Sequence, residues 1–156
     1  KIFDYIPENT FYDFAKNVFP KLVEEHEINT FDVSGYWSDI GTINQYIQSN
    51  EDVFLGKCNF QHAKIVELQN GASYITGESC IIPQNVTFKG KSVIGKNTKI
   101  GKNSVIENSI IWDNVIIGDG VHIENCVIAS NCVIKMDLHF QIVGANELIE
   151  EKSLQV

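Results

Sequence analysis

Large apolar residues recur every six positions at Ile82, Phe88, Ile94, Ile100 and Ile106, and nothing else in the chain limits its fold so strongly. A step of six fits neither the turn of a helix nor the two-residue alternation of a lone strand. Two positions before each stands Cys80, Val86, Ser92, Thr98 or Ser104, always small or β-branched, which suits a tight interior corner. Together the two positions are the hexapeptide signature of a parallel β-helix. The step then shortens, with Ile111, Ile117, Ile123, Ile128 and Ile134 following at intervals of 5, 6, 6, 5 and 6. Ile106 to Ile123, Ile111 to Ile128 and Ile117 to Ile134 are each 17 apart, as three short strands per coil with one trimmed corner require. The spacing therefore predicts three interior columns: Ile82, Ile100, Ile117 and Ile134; Phe88, Ile106 and Ile123; Ile94, Ile111 and Ile128. Burying each anchor is worth about 1.5–3 kcal/mol, enough in sum to support a narrow prism with no second layer.

Sharp corners need residues that tolerate positive φ, and Asn and Gly do so best. Asn85, Asn97, Asn103, Asn114, Gly120 and Asn131 each lie three after an anchor, and Asn108 and Asn125 lie two after one in the shortened steps. The spacing predicts about three coils over residues 57–143. After the last anchor, Ile134, Leu138–Val143 reads as one last strand, and Asn146–Leu154 has helix-like placement of Leu148, Ile149 and Leu154.

Net charge is −8 and uneven: residues 1–56 hold three lysines against ten acids, giving −7, and residues 57–156 hold nine against ten, giving −1. There is no arginine, and an acidic chain without that bidentate phosphate ligand is a poor candidate for nucleic acid. No apolar run reaches membrane-spanning length. Cys58, Cys80, Cys126 and Cys132 show no metal-type spacing, so they read as reduced thiols, with Cys126 and Cys132 at interior corners and a cytoplasmic home implied. The chain opens on Lys1 and its single methionine is Met136, so it reads as part of a longer protein.

Ahead of the repeat, Thr10–Glu25 predicts a helix interrupted at Pro20, capped by Asn9 or Thr10. Thr30–Trp37 alternates like a strand. Ser38–Thr42 reads as a turn starting a helix over Ile43–Phe54, which Gly56 stops. Lys64–Leu68 predicts a strand, and Asn70–Gly71 a turn. Asp13–Phe14–Ala15–Lys16, Phe19–Pro20–Lys21–Leu22 and Gly35–Tyr36–Trp37–Ser38–Asp39–Ile40–Gly41–Thr42, followed by the hexapeptide coils, resemble the C-terminal part of a sugar-nucleotide nucleotidyltransferase. Mannose-1-phosphate guanylyltransferases are the most similar, with glucose-1-phosphate adenylyltransferases next. The resemblance implies a left-handed β-helix over 57–143, preceded by a catalytic-domain remnant over 1–56 and followed by a cap or tail over 144–156. It implies a parent enzyme acting on a sugar 1-phosphate and an NTP, with Asp39 as one ligand of a Mg²⁺ cofactor. The glycine-rich nucleotide loop of that family is not in this sequence, so no catalytic residue is assigned and this stretch alone is expected to be inactive.

Without the resemblance, Asp39 reads as a helix-capping or turn residue, Tyr36 and Trp37 as packing aromatics and Lys16 as a solvated helix face. Lys89, Lys91, Lys96, Lys99 and Lys102 are the only charges between Ser79 and Ile106; Lys96 and Lys102 are candidates for an anion site, against the alternative of a solvated exterior. His122 precedes anchor Ile123 and should point outward, where β-helix acyltransferases keep a catalytic histidine. His62 and His139 lack repeat context, and nothing here has the three-histidine spacing of a zinc β-helix enzyme. Trp112, Ile110 and Ile116 flank anchors on the predicted exterior and mark a homo-oligomer interface. A non-catalytic regulatory or assembly module is the remaining alternative.

Overall fold

The computed structural model describes residues 1–26, 28–58 and 64–151. Two compact units divide the chain, Lys1–Gly35 and Tyr36–Val156. In the first, a 3₁₀ turn at Ile2–Tyr5 is followed by a π-helical turn, Phe14–Val18, that runs into α1 (Phe19–Glu24). The expected helix is thus shorter and begins later. Asp13 rather than Asn9 or Thr10 caps it, its carboxylate accepting the Lys16 N–H at 2.8 Å. Pro20 occupies the first turn of α1, where its missing N–H costs little, and the wider turn before it absorbs the break. The expected strand over Thr30–Trp37 does not form, because among the described residues no partner strand lies beside it and a lone strand has no ladder.

The second unit opens with α2 (Ile43–Phe54). Thr42 caps it through Oγ1, which accepts the Gln45 N–H, and Gly56 leaves it at φ +67°, as the sequence predicts. A hairpin of β1 (Ile65–Glu67) and β2 (Ser73–Thr76) turns at Gly71 and starts the solenoid. Four strand triplets follow: β3 (Thr87–Lys89), β4 (Lys91–Ile94) and β5 (Lys99–Ile100); β6 (Val105–Glu107), β7 (Ile110–Ile111) and β8 (Ile116–Ile117). The third is β9 (His122–Glu124), β10 (Val127–Ile128) and β11 (Val133–Ile134), and the fourth β12 (Leu138–His139), β13 (Ile142–Val143) and β14 (Leu148–Ile149).

Each strand pairs in parallel with its equivalent one coil away, giving three sheets: β2-β4-β7-β10-β13 with β1 at its edge, β5-β8-β11-β14, and β3-β6-β9-β12. The predicted columns stand. Ile94, Ile111 and Ile128 are stacked in register, as are Phe88, Ile106 and Ile123, and Ile100, Ile117 and Ile134, all 4% exposed or less, while Ile82 is half-buried at the first coil. Inside the corners the small residues are sealed as well. Thr98, Ser104, Ser109, Val115 and Cys132 are fully buried, and the Thr98 and Ser104 hydroxyls donate to the carbonyls of Trp112 and Gly118 on the next coil. Those hydroxyls satisfy carbonyls that the turning chain would otherwise leave unpaired.

The coil count exceeds the expected three. Leu138, Val143 and Ile149 continue the three columns at a spacing of 15 from Ile123, Ile128 and Ile134. The tail therefore holds two strands where one was expected at Leu138–Val143, and a strand instead of a helix at Leu148–Ile149; Leu154 and His62 lie outside the described residues. Seven of the eight predicted corner residues have positive φ, between 45° and 73°. Asn85 does not; its amide instead donates to Asn103 Oδ1 at 2.8 Å. Asn97, Asn114, Asn131 and Asn146 form a ladder up one edge, each amide donating to the next side chain at 3.1 Å.

Candidate functional site

Asp39 sits in the run 36–41 that leads into α2, a stretch with neither helix nor strand. Its carboxylate is exposed, and no backbone–backbone hydrogen bond among the described residues engages 36–41. Side chains hold the run instead. The Tyr36 hydroxyl donates to Asp52 Oδ2 at 2.9 Å, and the Ser38 and Ser49 hydroxyls share a hydrogen bond of 2.9 Å, with Ser49 Oγ also 2.8 Å from the Gln45 carbonyl. Ile40 lines a cavity of about 340 Å³ with Tyr46, Ser49, Val53, Ile75 and Val93. Positions 36, 38 and 40 thus meet α2 or the cavity beside it, while Trp37 and Asp39 are exposed. Trp37 is 80% exposed, so it does not pack as expected.

Sequence reasoning missed Asp52. It is 7% exposed in the last turn of α2, and Lys57 Nζ and Gln48 Nε2 donate to its Oδ1 at 2.8 and 3.2 Å. The Lys57 ammonium and the Tyr36 hydroxyl hold its carboxyl below the ordinary carboxylate value, and Asp52 in turn raises Lys57. An acid at a helix C-terminus opposes the macrodipole, and that conflict is the one sequence signal that a specific partner awaits it.

As a metal ligand Asp39 fits in kind and is incomplete in number. Mg²⁺ takes hard oxygens, commonly one or two carboxylates together with substrate phosphates and water. Asp39 offers one such oxygen pair on an open surface, and among the described residues no group of three or more His, Cys, Asp or Glu is placed to hold a metal. The remaining ligands would come from substrate and from groups outside this set.

The other candidates fall apart spatially. Lys96 and Lys102 stand at different corners, after β4 and after β5; Lys96 Nζ is 3.8 Å from Asp113, and the Lys102 N–H donates to Asp119. His122 is on the outer face as expected, yet its Nε2 is buried without a hydrogen-bond partner among the described residues, 3.8 Å from Glu107, with the His139 ring edge-on at 5.1 Å. All four cysteines are free, and burial raises the Cys126 thiol, keeping it in its inert protonated form.

The three interface candidates do not share a face. Ile110 is 6% exposed, because α2 lies on the outer face of its sheet, where Ile47 and Phe54 line a seam with Val93 and Ile110. Alternation along a strand tells which residues leave the coil, not what covers them outside it. Trp112, 45% exposed, donates from Nε1 to the Tyr46 hydroxyl at 2.9 Å and meets that ring edge-on, so it clamps α2. Ile116 is 46% exposed on another sheet, in an outward column with Ile81, Lys99, Val133 and Leu148.

Stacked coils closed by parallel ladders make this a β-helix protein. The family described as the EIF2B subunit epsilon LbH domain matches residues 59–152, more than half of the chain, and the chain belongs to that family. This left-handed class agrees with the hand that the hexapeptide resemblance implied. The chain is also similar to the glucose-1-phosphate adenylyltransferase of Clostridium novyi, at 30% identity over 95 residues covering 57% of this chain and 25% of that protein. The Mycoplasma mobile enzyme of the same name is 29% identical over 86 residues (54% and 21%), and that of Thermosipho melanesiensis 42% over 43 residues (28% and 10%). The chain thus spans a quarter or less of the length of these relatives. No helix among the described residues is long and apolar enough to cross a membrane.

Proposed function

We propose that the chain is the C-terminal portion of an NDP-sugar pyrophosphorylase that joins an NTP to a sugar 1-phosphate. A phosphate oxygen of the sugar attacks the α-phosphorus, the bond from that phosphorus to the bridging oxygen breaks, and pyrophosphate leaves. The observation that carries this reading is the similarity to glucose-1-phosphate adenylyltransferases over more than half of the chain. Asp39 contributes one carboxylate to Mg²⁺, and the metal, when bound, neutralises charge on the phosphate oxygens. In the complete protein, Asp39→Ala is expected to slow pyrophosphate release by about 10²-fold or more while the thermal midpoint holds. Normal turnover at limiting Mg²⁺ would reject the metal role.

A non-catalytic assembly module is the second reading, compatible with the match to a domain of EIF2B subunit epsilon. A glycine-rich loop with arginine and lysine upstream separates the two: its presence supports the enzyme, its absence the module. Under either reading the coils serve assembly of a homo-oligomer. The outward column Ile81, Ile116, Val133 and Leu148, broken by Lys99, is the apolar face a second copy would cover. Ile116→Glu should shift sedimentation towards monomer without unfolding the chain. Trp112→Glu is the poorer test, since it also breaks the clamp on Tyr46. Wild-type chain sedimenting as a monomer at about 100 µM, far above typical interface dissociation constants, sinks the idea.

A further inference from the structure

We propose that Asp52 is a positioning residue: through Tyr36 it fastens the run 36–39 along α2, so that Asp39 is presented from a fixed place. The inference rests on the reading of Asp39 as a Mg²⁺ ligand. Three observations carry it. First, among the described residues the run makes no backbone–backbone hydrogen bond, so its conformation depends on side chains. Second, its two anchors meet α2 on one side. Tyr36 and Ser38 are two apart, and their partners Asp52 and Ser49 are three apart, one turn of the helix. A chain that doubles back along a helix in this register puts alternate residues outward, and those are Trp37 and Asp39.

Third, the anchor is itself rigid. Lys57 and Gln48 occupy Oδ1 of Asp52 and leave Oδ2 to Tyr36, so the carboxylate cannot turn without losing charged hydrogen bonds. The helix beneath is fixed to the solenoid by Trp112 and by the seam over Val93 and Ile110. Coil, helix, Asp52 and Tyr36 form one continuous set of contacts, and Asp39 follows Tyr36 three residues along the chain. A ligand displaced by about 1 Å can cost two orders of magnitude in rate, which is why such a set matters for a carboxylate on an irregular run.

Tyr36→Phe removes one hydroxyl and leaves the ring, and Asp52 keeps Lys57 and Gln48. In this chain, backbone ¹⁵N order parameters of residues 37–40 should fall from about 0.85 to below about 0.6, with the midpoint nearly unchanged. Asp52→Ala should do the same, and Asp52→Asn, which keeps a carbonyl oxygen for Tyr36, should restore order. In the complete protein, Tyr36→Phe should raise the Mg²⁺ concentration for half-maximal turnover about tenfold, the worth of one hydrogen bond to a charged group, with turnover at saturating Mg²⁺ retained. Unchanged order parameters in both Tyr36→Phe and Asp52→Ala would overturn the proposal whatever Asp39 does. Loosening without any change in Mg²⁺ dependence would overturn the positioning role. Normal turnover of Asp39→Ala would remove the metal reading, and the role of Asp52 with it, while the order parameters still report the fastening.

Discussion

Ile106→Asp is expected to unfold the solenoid. Ile106 is fully buried in the middle of the column Phe88, Ile106, Ile123 and Leu138, and the corner residue beside it, Ser104, is fully buried too. The substitution discards the transfer free energy of a large aliphatic side chain, about 1.5–3 kcal/mol. It also places a carboxylate in a fully buried column of apolar side chains, which costs several kcal/mol more or forces the group to take up a proton. Domains of this size are stable by about 5–15 kcal/mol, so the loss is comparable to the whole. Far-ultraviolet circular dichroism should show the strand signal gone or its midpoint strongly lowered. Ile116→Asp is the control, since Ile116 projects half-exposed from the same coil and its replacement should move monomer stability by no more than about 0.5 kcal/mol. Equal midpoints for the two variants would disprove the column assignment.

The columns were legible because a solenoid repeats one local problem. Every corner demands a large anchor, a small residue two before it and a residue tolerant of positive φ after it, so the signal recurs until spacing makes it unmistakable. The fourth coil escaped because its corners shrink further. The steps from Ile134 to Leu138, Val143 and Ile149 run 4, 5 and 6, Phe140 takes the left-handed corner at φ 54° in place of Asn, and the six-residue register dissolves. The site was legible only in part. Asp39 stands out through the company of its neighbours in sequence, whereas Asp52 works through Tyr36, 16 residues away across a turn and a helix. Such a contact leaves no periodic trace. The same limit hid the cover over Ile110 and left Thr30–Trp37 reading as a strand, since alternation describes one chain and says nothing of its partners.

Gly101→Ala should cost about 2–4 kcal/mol, lowering the midpoint by ~10 °C, although only one methyl is added. Gly101 directly follows β5, and a Cβ built there would lie 2.3 Å from the carbonyl carbon and oxygen of Gly118 and 2.4 Å from the Asp119 nitrogen, all backbone of the next coil. The device repeats. A Cβ at Gly95 would meet the Trp112 carbonyl carbon at 2.4 Å, and one at Gly77 the Lys96 nitrogen at 2.5 Å. Parallel strands stack about 4.8 Å apart, so the coil cannot yield at one corner without stretching the ladder beside it. At this corner the ladder includes the Lys99 N–H to the Val115 carbonyl at 2.8 Å and the Lys102 N–H to Asp119 at 2.7 Å. Gly118→Ala separates this steric cost from any general effect of replacing glycine. Its Cβ would find nothing nearer than the Ile134 carbonyl oxygen at 3.4 Å, and neither position has a φ in the left-handed region. Alanine there should be neutral or slightly stabilising, by up to about 1 kcal/mol, because it restricts the unfolded chain. Similar midpoints for Gly101→Ala and Gly118→Ala would mean that the coils are free to part at this corner, and that the glycines after β2, β4 and β5 are not what sets their approach.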